Sequence, residues 1–279
     1  MKPKLACADF TFPLLSHDHV LDLIAMLGLE GVDIGLFPDR SHFHHEHFLG
    51  RAPAAAKELS AKVHDRGLEF ADIFHQSGPD LEQLAENHPD PERRRRARDL
   101  FLHTLEFVTL CEAKHMMSLP GIHFESESHE DSFRRAADEL AWRSEQARDA
   151  GVVYSVEPHI WSVASTPELA LRMVEMAPGL TITLDYGHYV AQGFAASEIE
   201  CLWPVASHFH ARCAANNRLQ ASMAGNAIDW SRVVRAAGEA GYEGSFGLEY
   251  VIMDLDIVEN VDTLSETIRL RDVLREENC

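Results

Sequence analysis

Eight short apolar runs, each followed by a segment with amphipathic helical spacing, constrain this chain more than any other feature. The runs are "LACADFTF", "GVDIGLF", "LEFADIF", "HMMSLPG", "VVYSVEPH", "LTITLDYGH", "ASHFHAR" and "SFGLEYV". Between them lie helical stretches such as "HVLDLIAMLGL", "RRRRARDLFLHTLEFVTLCEA", "SFRRAADELAWRSEQARDAG", "TPELALRMVEMA" and "DWSRVVRAAGEAGY". Period-two runs alternating with period-3.6 runs predict β/α units and a parallel sheet. Thr166-Pro167 reads as a helix N-cap followed by a first-turn proline, and Gly151, Gly179 and Gly241 read as C-terminal caps. The "RRRR" run at 93–96 opens a long helix and reads as a solvated face.

Eight such units in 279 residues predict a (β/α)₈ TIM barrel forming a single domain over residues 1–279. A doubly wound sheet is the rival, but no Gly-rich phosphate loop follows the first run. The hydrophobic fraction of 46% is enough for a large core, and no apolar run is long enough to suggest a membrane span. The N-terminal segment carries Asp9 and no signal-like cleavage pattern, so it is read as the first strand. Five scattered cysteines (Cys7, Cys111, Cys201, Cys213 and Cys279) with no CxxC pair suit reduced thiols in a cytoplasmic protein. A net charge of −20, from 25 basic and 45 acidic residues, argues against nucleic acid as a partner.

A barrel of this type builds its site at the C-terminal ends of the strands. There the fifth run delivers Glu157 and His159, and the sixth Asp185 and His188. The seventh delivers His208, His210 and Arg212, and the eighth Glu249. Three carboxylates converging on one cavity are costly without a cation, and two Glu, one Asp and one His form a mixed oxygen/nitrogen donor set. That set suits one divalent cation, Mn²⁺ first, with Mg²⁺, Co²⁺, Fe²⁺ and Zn²⁺ as alternatives. His208 and His210 point to the same side of their strand. His210, nearer the strand end, is the expected ligand, and His208 a hydrogen-bonded core residue one layer deeper.

With Glu157 in "SVEPH", Asp185 and His188 in "LDYGH", His210 in "HFHAR" and Glu249 in "GLEY", the chain resembles the xylose-isomerase-like barrels. Those include sugar isomerases, ketose 3-epimerases and inosose dehydratases. The helix "DWSRVVRAAGEAGYEG" before the last strand adds to the likeness, which is strongest from residue 150 to 250. The resemblance implies that Glu157, Asp185, His210 and Glu249 hold the cation and that His188 contacts substrate oxygens. It also implies that Glu157 and Glu249 remove and return a proton beside a sugar ketone, through an enediolate. The superfamily also contains a DNA-repair endonuclease with three zinc ions, which the charge of −20 opposes.

The chain departs from the ketose epimerases in two places. Val163 stands where they carry an acid, and Asn216 where they carry an arginine; Arg212 and Arg218 lie nearby, and Arg212 is taken as a substrate contact. His159, beside the first glutamate, suits a proton-transfer role in a β-elimination. The alternative expectation is therefore a lyase on a keto-sugar, resembling inosose dehydratases or 3-oxo-glycoside deglycosidases that work with a small partner subunit. Further substrate-binding expectations are His75, His123 and Trp161, with the loop holding His42, His44, His45 and His47 as a polar lid or a second metal site. No Arg/Lys cluster marks the strand ends, which favours an unphosphorylated sugar, and a homo-oligomer is expected.

Overall fold

The computed structural model of the protein describes residues 2–38 and 41–276. Cys279 lies outside that range, and the other four cysteines are free thiols. The strands are β1 (Lys4–Ala8), β2 (Gly31–Leu36), β3 (Glu69–His75), β4 (His115–Ser118), β5 (Val153–Val156), β6 (Thr181–Asp185), β7 (Ala206–Ala211) and β8 (Ser245–Leu248). They pair in parallel in sequence order, and β8 closes on β1 through Lys4–Ser245 to Cys7–Leu248. The expected (β/α)₈ barrel is thus the observed fold.

Around it run α1 (His17–Met26), α2 (Ala52–His64), α3 (Pro91–Leu110), α4 (His129–Asp149), α5 (Pro167–Met176), α6 (Tyr186–Ala191), α7 (Ala196–Ile199), α8 (Trp230–Glu239) and α9 (Thr263–Glu276). The Thr166 side chain caps α5 by accepting from Leu169 N–H, with Pro167 in the first turn. Gly151 and Gly241 end α4 and α8 at φ of +72°, a conformation side chains with a Cβ disfavour. The arginine run corrects one expectation. Asp90 caps α3, and Arg94 folds back onto the carbonyls of His88 and Pro89 and pairs with Glu139, so only part of the run is solvated.

The strands sort their residues sharply by face. Val32, Ile34, Ile73, Met116, Tyr154, Ile182, Leu184, Phe209, Phe246 and Leu248 join helix residues in the main hydrophobic cluster. The alternating positions face the barrel axis and are polar or small. Across the axis His208 meets Asp33, and His115 meets Asp72 and Ser207 (2.8 Å). Ser207 in turn meets Thr181 (2.6 Å), and Ser155 meets Thr183 (2.7 Å). Barrel interiors are ordinarily layered with Val, Ile and Leu; here the apolar core lies between strands and helices, and the axis carries hydrogen bonds.

Candidate metal centre

Each polar rim residue reaches its place through a local device. Glu157 and Glu249 follow β5 and β8 directly, and their N–H groups extend the ladder to Ser118 O and Ala211 O, both at 3.0 Å. Asp185 ends β6 and caps α6, its side chain accepting from Gly187 N–H at 2.7 Å. His188 therefore sits on the first turn of α6 rather than at a strand end. His210 lies within β7 and Arg212 one residue past it. All six side chains are buried.

The four residues expected to bind a cation do converge. His210 Nδ1 lies 2.7 Å from Glu157 Oε1 and 3.4 Å from Glu249 Oε2. Donor atoms of Glu157, His210 and Glu249 lie within 4.8 Å of one another, as do those of Glu157, Asp185 and His188, so Glu157 joins both groups. Arg212 enters the same cluster: its guanidinium bonds Asp185, lies 3.1 Å from His188 Nε2 and 3.3 Å from Glu249 Oε2. Three buried carboxylates against one guanidinium leave two negative charges when His210 is neutral. That is the charge a divalent cation neutralises, and Glu249 Oε2 has no hydrogen bond of its own. The donor set fits such an ion.

The electrostatics follow from burial and these neighbours. Burial would raise the Glu157 carboxyl, but His210, His188 and Arg212 outweigh it and hold it at about 2. For Glu249 burial, helped by Glu157 and Asp185, wins over His210 and Arg212, pushing the carboxyl up to about 7. Asp185 is also raised by burial. Burial opposes the charged form of His210, yet Glu249 and Glu157 lift it to about 10. His188 is held well below the ordinary imidazole range by burial and by Arg212. Burial likewise takes His159 down to about 4, despite Glu157.

His159 has a defined orientation. Its Nδ1 accepts the Trp161 N–H at 3.3 Å, so the neutral ring carries its proton on Nε2, which is buried without a partner. With Trp161, His188, Arg212 and the two glutamates it lines a cavity of about 720 Å³, whose other walls include Phe10, Phe37, Phe74, Leu119 and Ile252. The three phenylalanines pack edge to face, with Phe37 centroids 4.9 Å from Phe10 and 4.7 Å from Phe74.

Two expected substrate contacts do not line the cavity. His75 points away from the cavity into the layer under α3, against His45 (3.0 Å), Thr104 (3.2 Å) and Ser77 (3.0 Å). The reason is an extra residue in β3: Val32 pairs with Phe70 but Asp33 with Asp72, so the alternation shifts and Phe74 takes the inward position. His123 is exposed, bonds Glu127 O and does not line the cavity. The histidine loop is split: His42 lines the cavity, His45 is buried against His75, and His44 stacks edge-on against His47. Sequence reading missed Asp33, a buried acid in the middle of "GVDIGLF", and the phenylalanine wall. Asp33 had a visible signal, a charge interrupting a strand.

Fold and site together define a parallel (β/α)₈ barrel with a buried carboxylate–histidine cluster on its C-terminal rim. The sequence matches the xylose isomerase-like TIM barrel family over residues 21–275, and the chain belongs to that family. Comparison with curated proteins gives no significant match. Among solved structures, the chain is similar to a D-psicose 3-epimerase studied in the presence of D-fructose (14% identity, 98% of each chain, TM-score 0.77). It is also similar to a 3-keto-D-glucoside 4-epimerase from E. coli (17% identity, 99% of this chain and 100% of that one, TM-score 0.73). A third is the "probable 3-DHS dehydratase" of petrobactin synthesis from Bacillus anthracis (13% identity, 97% and 98%, TM-score 0.72). Among the described residues no helix is long and apolar enough to cross a membrane.

Proposed function

We propose that the protein is a divalent-cation-dependent enzyme of the sugar isomerase/epimerase type, acting on a keto-sugar by removing a proton from the carbon next to its carbonyl. The observation that carries this reading is the convergence of Glu157, His210 and Glu249 within 4.8 Å, with Asp185 tied to the same cluster through Glu157. These four residues would hold the ion, Mn²⁺ first among the candidates. When bound, the cation supplies positive charge to the carbonyl and neighbouring hydroxyl oxygens, where negative charge develops as the proton leaves.

The chain's own residues do the rest. Glu157 and Glu249 arrive from β5 and β8, flanking the β6–β7 pair, so one carboxylate removes the proton and the other returns one to the resulting enediolate. Arg212 and His188, which line the cavity beside the cluster, hold substrate oxygens. His159 presents Nε2–H, a neutral donor that polarises an oxygen rather than a base that takes a proton. The epimerases among the similar folds, one named for a keto-glucoside, support the substrate class.

One observation favours a second reading, a β-eliminating lyase on the same keto-sugar. The cavity, about 720 Å³ with an aromatic wall, has room for a substrate larger than a free ketose, and the His159 donor could face a departing oxygen. Incubation with ketoses, inososes and 3-oxo-glycosides in D₂O, followed by NMR, separates the two. Deuterium in an intact sugar supports the first reading, and loss of a substituent the second. Metal analysis of the purified protein should find about one divalent ion per chain; full activity in the stripped protein would overturn both.

A further inference from the structure

The rim of the barrel is divided into two halves of opposite character. The last four strands deliver the carboxylates and histidines of the cluster, from Glu157 after β5 to Glu249 after β8. The first four deliver apolar side chains to the same cavity: Phe10 in the turn after β1, Phe37 directly after β2, Phe74 near the end of β3 and Leu119 directly after β4. The three phenylalanines belong, with Ala8 and Met117, to a small hydrophobic cluster separate from the main core, and Leu119 and Val251 pack against it. The reaction proposed above uses none of these side chains.

This apolar wall starts at the cation site. The Phe74 ring centroid lies 6.1 Å from that of His210, and Phe37 and Phe10 continue the wall at centroid distances of 4.7 and 4.9 Å. Ile252 and Trp161 also line the cavity and are 54% and 44% exposed, which puts them at its opening. The polar side chains that enter the cavity after β2 and β3 are engaged with the protein itself. Ser41 Oγ accepts the Phe37 N–H (2.9 Å), Gln76 donates to Gly78 O (2.7 Å), Asp80 accepts the Gln83 N–H (2.7 Å) and His42 stacks on His17. A free ketose carries a hydroxyl on nearly every carbon, and a hydroxyl laid against these phenylalanines loses water without gaining a partner. An apolar group laid there is favoured in proportion to the area it removes from water. The cavity of about 720 Å³ also lies in the range that encloses drug-sized ligands.

We propose that the substrate is a keto-glycoside with an apolar aglycone, its sugar on the carboxylate half of the rim and its aglycone along Phe74, Phe37 and Phe10 toward Ile252. An aromatic aglycone matches the wall best, since its ring continues the edge-to-face packing of the phenylalanines. The wall acts on binding, so the same preference holds whether a proton is returned or a substituent expelled. The proposal rests on the reading of the cavity as a keto-sugar site.

The test is calorimetric titration of the full chain, in buffer containing Mn²⁺, with matched phenyl and methyl glycosides of glucose, galactose and xylose. These probes carry no ketone, so binding is read without turnover. For at least one sugar the phenyl glycoside should bind about 10–100-fold more tightly than the methyl glycoside, the gain from burying one aromatic ring. Phe37→Ala should bring the phenyl glycoside close to the methyl one and leave methyl-glycoside affinity unchanged, a split that a general loss of structure does not give. Ile252→Ser, at an exposed position outside the core, should lower the phenyl preference about 2–5-fold and decides the matter if the Phe37 variant does not fold. Equal affinity for the two glycosides, no binding of either, or a phenyl preference that survives both substitutions overturns the proposal. Deuterium exchange into a free ketose alongside equal affinities does so while leaving the keto-sugar chemistry standing. A phenyl preference with no exchange into any keto-sugar overturns the keto-sugar reading and the substrate with it, leaving only a glycoside-binding cavity.

Discussion

His210 on β7 reaches past β6 to Glu157 beyond β5, placing Nδ1 2.7 Å from Oε1. Residues two strands apart in a flat sheet are separated by roughly 10 Å, twice the strand spacing. Barrel closure folds that separation inward, so the two side chains meet at the axis. Arg212 and Glu249 then complete a cluster in which one guanidinium is shared by two carboxylates and the acids outnumber the cations.

Replacement of either glutamate tests that cluster first. Glu157→Gln and Glu249→Gln keep the shape and remove a charge from His210 and from the cation site. Each should reduce kcat by about 10²–10⁴-fold, the span of a lost general acid or base. Steady-state kinetics on the substrate identified in D₂O gives the answer, and retention of more than a tenth of wild-type kcat by both would remove them from the chemistry.

Arg212 is buried between Asp185 and Glu249, so removing it strands two carboxylates. Arg212→Met should destabilise the stripped protein by about 3–5 kcal/mol, as breaking a buried pair does. Added Mn²⁺ should restore more stability to this variant than it adds to wild type, since the ion replaces the missing charge. Urea unfolding with and without the ion measures both effects; an unchanged midpoint in the stripped variant would show that the guanidinium is not compensating the acids.

His159 is a neutral donor by its bond from Trp161 N–H and by its pKa of about 4. His159→Ala should lower kcat, and His159→Gln, which keeps an N–H, should recover part of the loss. The acidic limb of the rate profile should keep its position in both variants above pH 5. A limb near the ordinary histidine value that vanishes in His159→Gln would make the ring a base after all.

The buried His45–His75 pair predicts acid sensitivity. Burial and His44 hold His45 at about 4, and burial takes His75 well below its usual value. Because the folded values are depressed, the unfolded chain binds protons first as pH falls. Stability is therefore complete above about pH 6.5 and declines toward pH 4, by roughly 3 kcal/mol from His45 alone. Urea midpoints between pH 7.5 and 4.5 should show this slope and a shallower one in His45→Gln; equal slopes would place the acid sensitivity elsewhere.

Much of this was legible from residue types and spacing. Glu157, Asp185, His210 and Glu249 were marked by position alone, each closing an apolar run, and the caps at Thr166, Gly151 and Gly241 are local signals. His208 as a core residue below His210 also followed from strand alternation. His75 did not, because a single extra residue in β3 reverses which side chains face inward, and a bulge leaves no mark in composition. His123 was placed by proximity to β4, but the chain has already left the strand at Ser118 and turned outward.

Alternating polarity and turn residues act over a few positions, so the sequence by itself determined eight β/α units and the identity of the acids and histidine on the rim. It could not determine what those side chains meet. The placement of Arg212 among the carboxylates, the tautomer of His159, the outward turn of His75 and the Asp33–His208 pair under His210 all depend on strands far apart in sequence. Barrel closure and strand register bring those groups together, and both are set by the packing of the whole chain rather than by any segment of it.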